Sequence, residues 1–87
     1  MSLTSEMVRA ARALLRWDQS DLAKHAAISL PTVKRIEKEP GPISGRIETA
    51  RAIESAFARA GIEFDRRRGE GVLRLARGAE PDGRGVR

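Results

Sequence analysis

Residues 19–37 constrain the fold of this 87-residue chain more than any other segment. They read Q-S-D-L-A-K-H-A-A-I-S-L-P-T-V-K-R-I-E, a pattern that predicts two short helices separated by a tight turn. Pro31 is decisive because proline is tolerated only in the first turn of an α-helix. Ser29, two residues earlier, is a natural N-cap for the helix that Pro31 opens. Helices separated by three or four residues must cross at a steep angle, so the segment predicts a helical corner.

Capping and breaking residues predict four helices along the chain. Thr4, Asp18 and Ser29 are N-cap candidates for the first three, and Ser44 is the candidate for the fourth. The third helix must end before the stiff Pro40-Gly41-Pro42 loop. The expected helices run from near Ser5 to Arg16, from about Gln19 to Ala26, from about Leu30 to Lys38, and from Ser44 to a C-terminal Gly61.

Apolar spacing predicts which helix faces form the core. The aromatic residues are few, so the composition favours packed helices over a β-sandwich, where aromatic and β-branched residues accumulate. Each expected helix except the short second one carries an apolar stripe on one face. The stripes are Val8, Ala11 and Leu15 in the first helix, Val33 and Ile36 in the third, and Ile47, Ala50, Ile53, Phe57 and Ala60 in the fourth.

The apolar pattern changes after Gly61. Residues 62–65 and 72–75 alternate, which predicts a small hairpin or two short strands with residues 66–71 between them. Residues 77–87 lack periodicity and are predicted to be disordered. The fold class is therefore mostly α, a compact four- to five-helix bundle with short C-terminal strands. The predicted division is a helical domain over 1–61, a β segment over 62–76 and a tail over 77–87.

Charge and residue counts limit the function classes. The net charge of +5 and a pI of about 11 favour an anionic partner such as nucleic acid, although solubility alone also explains such a charge. The absence of cysteine and the single histidine, His25, argue against a metal site and against a nucleophile–base pair. We therefore expect no enzyme activity and no cofactor. No apolar stretch approaches a membrane span, and the protein is expected to be cytoplasmic, with no membrane partner.

Residues 19–37 resemble the helix-turn-helix of the xenobiotic-response-element class, which includes the phage repressors and Cro. The wider resemblance runs from about Val8 to Leu75. It implies a lambda-repressor-like fold and a transcriptional regulator, in particular a repressor, that binds double-stranded DNA through a recognition helix in the major groove. The matching positions are Gln19, Leu22-Ala23, the turn Ala26-Ala27-Ile28-Ser29, and Val33 with Ile36-Glu37.

The resemblance also implies which residues contact DNA. Arg35 is the strongest candidate for reading a base, because its planar guanidinium can pair with guanine O6 and N7; the alternative is a solvated arginine on an exposed helix face. Gln19 is expected to approach a phosphate, or else to be an ordinary polar first-turn residue. The other positions implied to contact bases are Leu30, Pro31 and Thr32. Leu30 and Pro31 can read only methyl groups or shape. Ser29 and Lys34 are implied to contact phosphates or nearby bases.

Two structural expectations also follow from the resemblance. An arginine of the first helix pairs with a glutamate near the end of the third in the resembled repressors, which implies a partly buried Arg12–Glu37 bridge. The turn position occupied here by Ala27 usually holds glycine, because its φ is positive.

Regulators of this size normally dimerise, because one helix in one major groove covers few base pairs. We expect a homodimer formed through residues 62–65 or 72–75, or through the fourth helix. The alternative is a DNA-binding antitoxin whose C-terminal part binds a toxin protein.

Overall fold

The structure is a computed structural model that describes residues 3–43, 45–65 and 72–75. In these residues the chain is mostly helical and packs around one apolar core. Ser44, residues 66–71 and the predicted disordered tail lie outside the described residues. The elements are α1 (Ser5–Leu15), α2 (Gln19–Ala26), α3 (Leu30–Lys38), α4 (Ile47–Arg59), β1 (Ile62–Asp65) and β2 (Val72–Leu75).

The first three helices begin at the N-cap residues predicted from the sequence. At α2, the Asp21 N–H donates to the Asp18 carboxylate at 2.8 Å, and the Asp18 N–H donates to the Asp21 carboxylate at 2.9 Å. The hydrogen bond from the Asp21 N–H lowers the pKa of Asp18. A hydrogen bond from the Ser20 hydroxyl also lowers this pKa, with a smaller effect. The other two caps are hydrogen bonds from Met7 N to Thr4 Oγ1 (3.1 Å) and from Thr32 N to Ser29 Oγ (3.2 Å).

The loop after α3 is held against the N-terminus of α1. The Ser5 N–H donates to the Gly41 carbonyl at 2.9 Å, and the Ile43 N–H donates to the Leu3 carbonyl at 3.0 Å. The Glu6 carboxylate accepts the Gly41 N–H at 3.1 Å. Hydrogen bonds from its own backbone and from the Gly41 N–H lower the pKa of Glu6. These contacts determine where the chain enters α4.

The start of α4 corrects two predictions. The helix begins at Ile47 with Arg46 as its N-cap residue, so Ser44 is not the cap, and no side chain caps this end. Gly45 has a φ of +115°, so the chain turns there and a helix cannot begin at Ser44. Ile47 was assigned to the buried stripe but is 70% exposed. A side chain in the first helical turn leans toward the N-terminus, here beyond the edge of the core.

The core lies where α2 packs against both α3 and α4, and α1 closes it by packing against α3. Phe57 and Ile53 of α4 are fully buried, as the apolar stripe predicted. Val33 and Ile36 form the buried edge of α3, which is also confirmed. Ala56 is buried as well, although it was not assigned to the stripe. Each large buried side chain contributes about 1.5–3 kcal/mol relative to an exposed one.

The strands β1 and β2 pair antiparallel, with Ile62 opposite Leu75 and Asp65 opposite Val72. β1 packs against α4 and β2 against α1, and the Ile62 side chain is buried. None of the helices in the described ranges is long and apolar enough to span a membrane.

Among the described residues, two other than glycine adopt left-handed backbone conformations, both at helix ends. Ala27 has φ 57° and ψ 43° at the end of α2, which confirms the expected positive φ in the turn. Arg16 has φ 58° and ψ 37° at the end of α1. A left-handed residue with a Cβ costs about 1–2 kcal/mol relative to the right-handed conformation. The turn between α2 and α3 is therefore strained at Ala27.

We predict that Ala27→Gly raises the free energy of unfolding by about 0.5–1 kcal/mol. The substitution removes the Cβ strain, while the greater freedom of glycine in the unfolded chain offsets part of the gain. The melting temperature, followed by circular dichroism, should rise by a few degrees.

Ala13→Gly is the matched control, because Ala13 is an exposed alanine inside α1. It should lower the free energy of unfolding by about 0.5–1 kcal/mol. An unchanged or lowered midpoint for Ala27→Gly would contradict the assignment of strain to the turn.

Candidate functional site

A buried ion pair joins α1 to the end of α3. Arg12 donates from Nε to Glu37 Oε2 at 2.8 Å and from Nη2 to Glu37 Oε1 at 2.7 Å. The predicted Arg12–Glu37 bridge is therefore confirmed, in bidentate form. The Glu37 side chain is only 3% exposed and that of Arg12 19%. The hydrogen bonds to Glu37 raise the pKa of Arg12. The third guanidinium nitrogen, Nη1, donates to the Trp17 carbonyl at 2.9 Å.

Two further side chains converge on Glu37. Gln19 Nε2, from the first turn of α2, donates to Glu37 Oε1 at 3.1 Å. Arg9 Nη1, from α1, donates to the Glu37 backbone carbonyl at 2.7 Å. Three helices are therefore tied together at the end of α3. The Gln19 amide, which the resemblance assigned to a phosphate, is half-buried and oriented by Glu37, and its role toward DNA stays a prediction.

The opposite side of α3 carries most of the predicted site residues. Pro31, Lys34 and Arg35 are exposed there, and the exposed Ser29 precedes them as the N-cap. The hydroxyl oxygens of Ser29 and Thr32 lie 2.7 Å apart and share a hydrogen bond. No acidic residue stands between positions 29 and 36. This surface of α3 is therefore positively charged.

Leu30 is placed differently from the other predicted site residues. It is half-buried and packs against the core, because it precedes Val33 by three residues and shares its inner face. Only the exposed part of its side chain is free to make an apolar contact outside the fold.

A groove of about 420 Å³ separates α3 from the start of α4. We call it the α3–α4 groove. Arg35 reaches it from α3 and Arg46 from the N-cap of α4. Neither guanidinium has a hydrogen-bond or ion-pair partner among the described residues. The lining residues are Thr32, Arg35, Ile36, Gly45, Arg46 and Thr49.

The sequence interpretation missed Arg46 and Thr49. It placed Arg46 inside a helix beginning at Ser44, outside the apolar stripe of that helix. The only local signal of the groove was Gly45, which breaks the helical pattern one residue before Arg46.

The single tryptophan belongs to the edge of the core. The Trp17 ring stacks on His25 with centroids 4.2 Å apart and planes 6° apart. It also packs against Phe57 at 5.8 Å.

In the part of the chain that the structure describes, no three side chains of the metal-binding types form a cluster.

No family model, curated protein or solved structure matches the chain. A functional assignment therefore depends on the arrangement of the side chains themselves. The arrangement combines an α3 anchored from its inner side with a basic outer surface beside a groove that holds two arginines.

We predict that Arg12→Leu lowers the free energy of unfolding by about 3 kcal/mol. The variant leaves the buried Glu37 carboxylate without its cationic partner, and an uncompensated buried charge costs several kcal/mol. Arg12→Leu combined with Glu37→Leu should lose much less than the sum of the two single variants, because the double variant buries no unpaired charge. Urea unfolding of the unaltered protein, the two single variants and the double variant measures the interaction free energy between Arg12 and Glu37.

The control for the ion pair is Arg51→Leu, at an exposed arginine of α4 that has no partner among the described residues. It should change the free energy of unfolding by less than about 0.5 kcal/mol. Additive losses in the double variant would show that Arg12 and Glu37 do not act as a pair.

Proposed function

We propose that the chain is a sequence-specific DNA-binding protein that acts as a transcriptional repressor. In this proposal α2, the turn at 27–29 and α3 form a helix-turn-helix of the class that the sequence resembles. The helix α3 is the recognition helix and lies in the major groove of double-stranded DNA. The observation that carries the proposal is the exposed basic surface of α3, held in place from its buried side by Glu37.

The shape of α3 supports this role. It is a regular helix of nine residues, and an α-helix with its side chains is about 10–12 Å in diameter, which fits a major groove about 12 Å wide. The inner edge is anchored by buried Val33 and Ile36, so the outer surface is presented on a rigid element. Rigid presentation favours base reading, because side chains then need little ordering on binding.

The exposed residues of α3 divide into base-reading and phosphate-binding positions. Arg35 is proposed to make the bidentate contact with guanine, a pair worth about 1–3 kcal/mol of discrimination. Thr32 shares its hydroxyl with Ser29, so its methyl group is the part best suited to contact a thymine. Lys34 is proposed to bind a phosphate. The remaining contacts proposed are Gln19 and Ser29 with phosphates, and Leu30 and Pro31 with methyl groups or groove shape.

We further propose that the protein binds DNA as a homodimer. One recognition helix covers one half-site, and two-fold sites require two helices about one turn of DNA apart. The strands β1 and β2 are proposed to form a hairpin that pairs with a second copy, because a two-stranded sheet is marginally stable alone. The exposed Ile47 of α4 supports α4 as the other possible interface.

Light scattering with size-exclusion chromatography at micromolar concentration tests the dimer. The expected mass is twice the 9.6 kDa of the chain. Ile47→Lys distinguishes the interfaces: it should leave the dimer intact if the strands form it and produce a monomer if α4 does. A monomeric mass for the unaltered protein would contradict the dimer proposal.

Selection of bound sequences from a random duplex library tests the DNA proposal. The unaltered protein should enrich one motif, and Arg35→Ala should lose the preference at one or two positions of that motif. Lys34→Ala should weaken binding about equally for all sequences and reduce the salt dependence by about one phosphate contact.

Arg51→Ala serves as the control in the selection, because Arg51 is exposed on α4 and does not line the α3–α4 groove. It should retain the motif and nearly all of the affinity. A library without any enriched motif would overturn the proposed function.

A further inference from the structure

The α3–α4 groove holds two cationic groups without protein partners. Arg35 and Arg46 both line it, and neither guanidinium group forms a hydrogen bond or ion pair with any described residue. None of the described lining residues is acidic. Two like charges facing one cavity repel each other and raise its positive potential, and an anion bound there relieves that repulsion.

The remaining walls of the groove suit one class of anion. Thr49 brings a hydroxyl group, which can donate a hydrogen bond to an oxyanion, whereas the Thr32 hydroxyl is already shared with Ser29. Guanidinium groups bind phosphate oxygens in a planar, bidentate manner. Arg46 is the N-cap of α4 and provides no side-chain cap, so the positive end of the helix is open at the same place. Glu48 follows in the first turn but does not line the groove.

The volume of the groove and its apolar lining allow a ligand larger than inorganic phosphate. A volume of about 420 Å³ lies within the range of about 300–1,000 Å³ that small-molecule sites occupy. Ile36, which is almost completely buried, forms an apolar part of the lining. A phosphate group attached to a small organic group therefore fits the cavity in both volume and chemistry.

We propose that the α3–α4 groove is a phosphate-binding site formed by Arg35, Arg46 and Thr49. It accepts a small phosphate monoester from solution through all three side chains. When DNA is bound, Arg46 and Thr49 hold a backbone phosphate while Arg35 contacts its base. The two ligands exclude each other because both require the Arg46 guanidinium. The binding of a free monoester stands independently of the proposed function, whereas its competition with DNA rests on that function. A monoester bound in the groove also engages Arg35 and removes it from its guanine, so binding of the monoester releases the protein from DNA.

The first test is a titration followed by the amide resonances of Ile47, Glu48 and Thr49 in ¹⁵N-correlation spectra at constant ionic strength. The probes are inorganic phosphate and adenosine 5′-monophosphate, and adenosine is the unphosphorylated control. Both phosphates should give saturable shifts at millimolar concentrations, and adenosine should give none. Arg46→Ala should weaken binding about tenfold, whereas Arg51→Ala, with the same charge change on the same helix, should leave it unchanged.

The second test uses a fluorescent duplex carrying the selected motif. Adenosine 5′-monophosphate should displace it from the unaltered protein, and adenosine should not. Arg46→Ala should weaken binding to all duplexes and reduce the salt dependence by about one phosphate contact. Saturable binding of the free phosphates supports the monoester as a ligand. If the free phosphates do not bind but Arg46→Ala reduces the salt dependence of DNA binding, the groove binds only the DNA backbone.

The phosphate site in the α3–α4 groove and the proposed DNA-binding function can be disproved independently of each other. Phosphate binding that persists when no DNA motif is enriched would support the groove site and remove its link to DNA. The groove proposal is overturned if neither phosphate probe binds and Arg46→Ala leaves the salt dependence of DNA binding unchanged. Equal losses in Arg46→Ala and Arg51→Ala would also overturn it, since they would reflect net charge alone.

Discussion

The buried Glu37 carboxylate is the group on which the arrangement of the helices depends. Moving a carboxylate out of water costs several kcal/mol, and the cost is offset only when its oxygens are fully paired. Here Arg12 of α1 and Gln19 of α2 supply hydrogen bonds to those oxygens, while Arg9 takes the backbone carbonyl. Because the partners come from two other helices, a shift of α1 relative to α3 leaves a charge unpaired, and a shift of α2 removes a hydrogen bond from the carboxylate. The carboxylate thus selects one orientation of α3.

This constraint separates the two sides of α3. The inner side contains Val33 and Ile36 in the core and Glu37 in its hydrogen-bonded cluster. The outer side retains Lys34 and Arg35 without protein partners among the described residues, which is the condition for contacts with another molecule. The proposed recognition surface and the α3–α4 groove are both consequences of this division, since Arg35 contributes to both.

Sequence reasoning succeeded where the determining contacts are local or follow an established pattern. The caps Thr4, Asp18 and Ser29 each accept a hydrogen bond from the amide three residues further along, so the starts of three helices were predictable. It failed at the start of α4, because the path through Gly45 depends on hydrogen bonds between Gly41 or Ile43 and the distant residues 3–5. No local pattern contains those contacts. The exposure of Ile47 and the presence of Arg46 in the groove were missed for the same reason.

The sequence by itself determined the two short helices around Pro31, whereas the left-handed Ala27 and the pairing of Arg12 with Glu37 were expected only from the resemblance to the helix-turn-helix class. Steric limits on proline, N-cap hydrogen bonds and the spacing of apolar residues act over a few positions and do not require the rest of the fold. Only the tertiary structure decided that Gln19 turns toward Glu37, that Leu30 packs inward, and that Arg35 and Arg46 face one groove. Those outcomes depend on how α1, α2 and α4 pack around α3, and packing joins residues that are far apart in the chain.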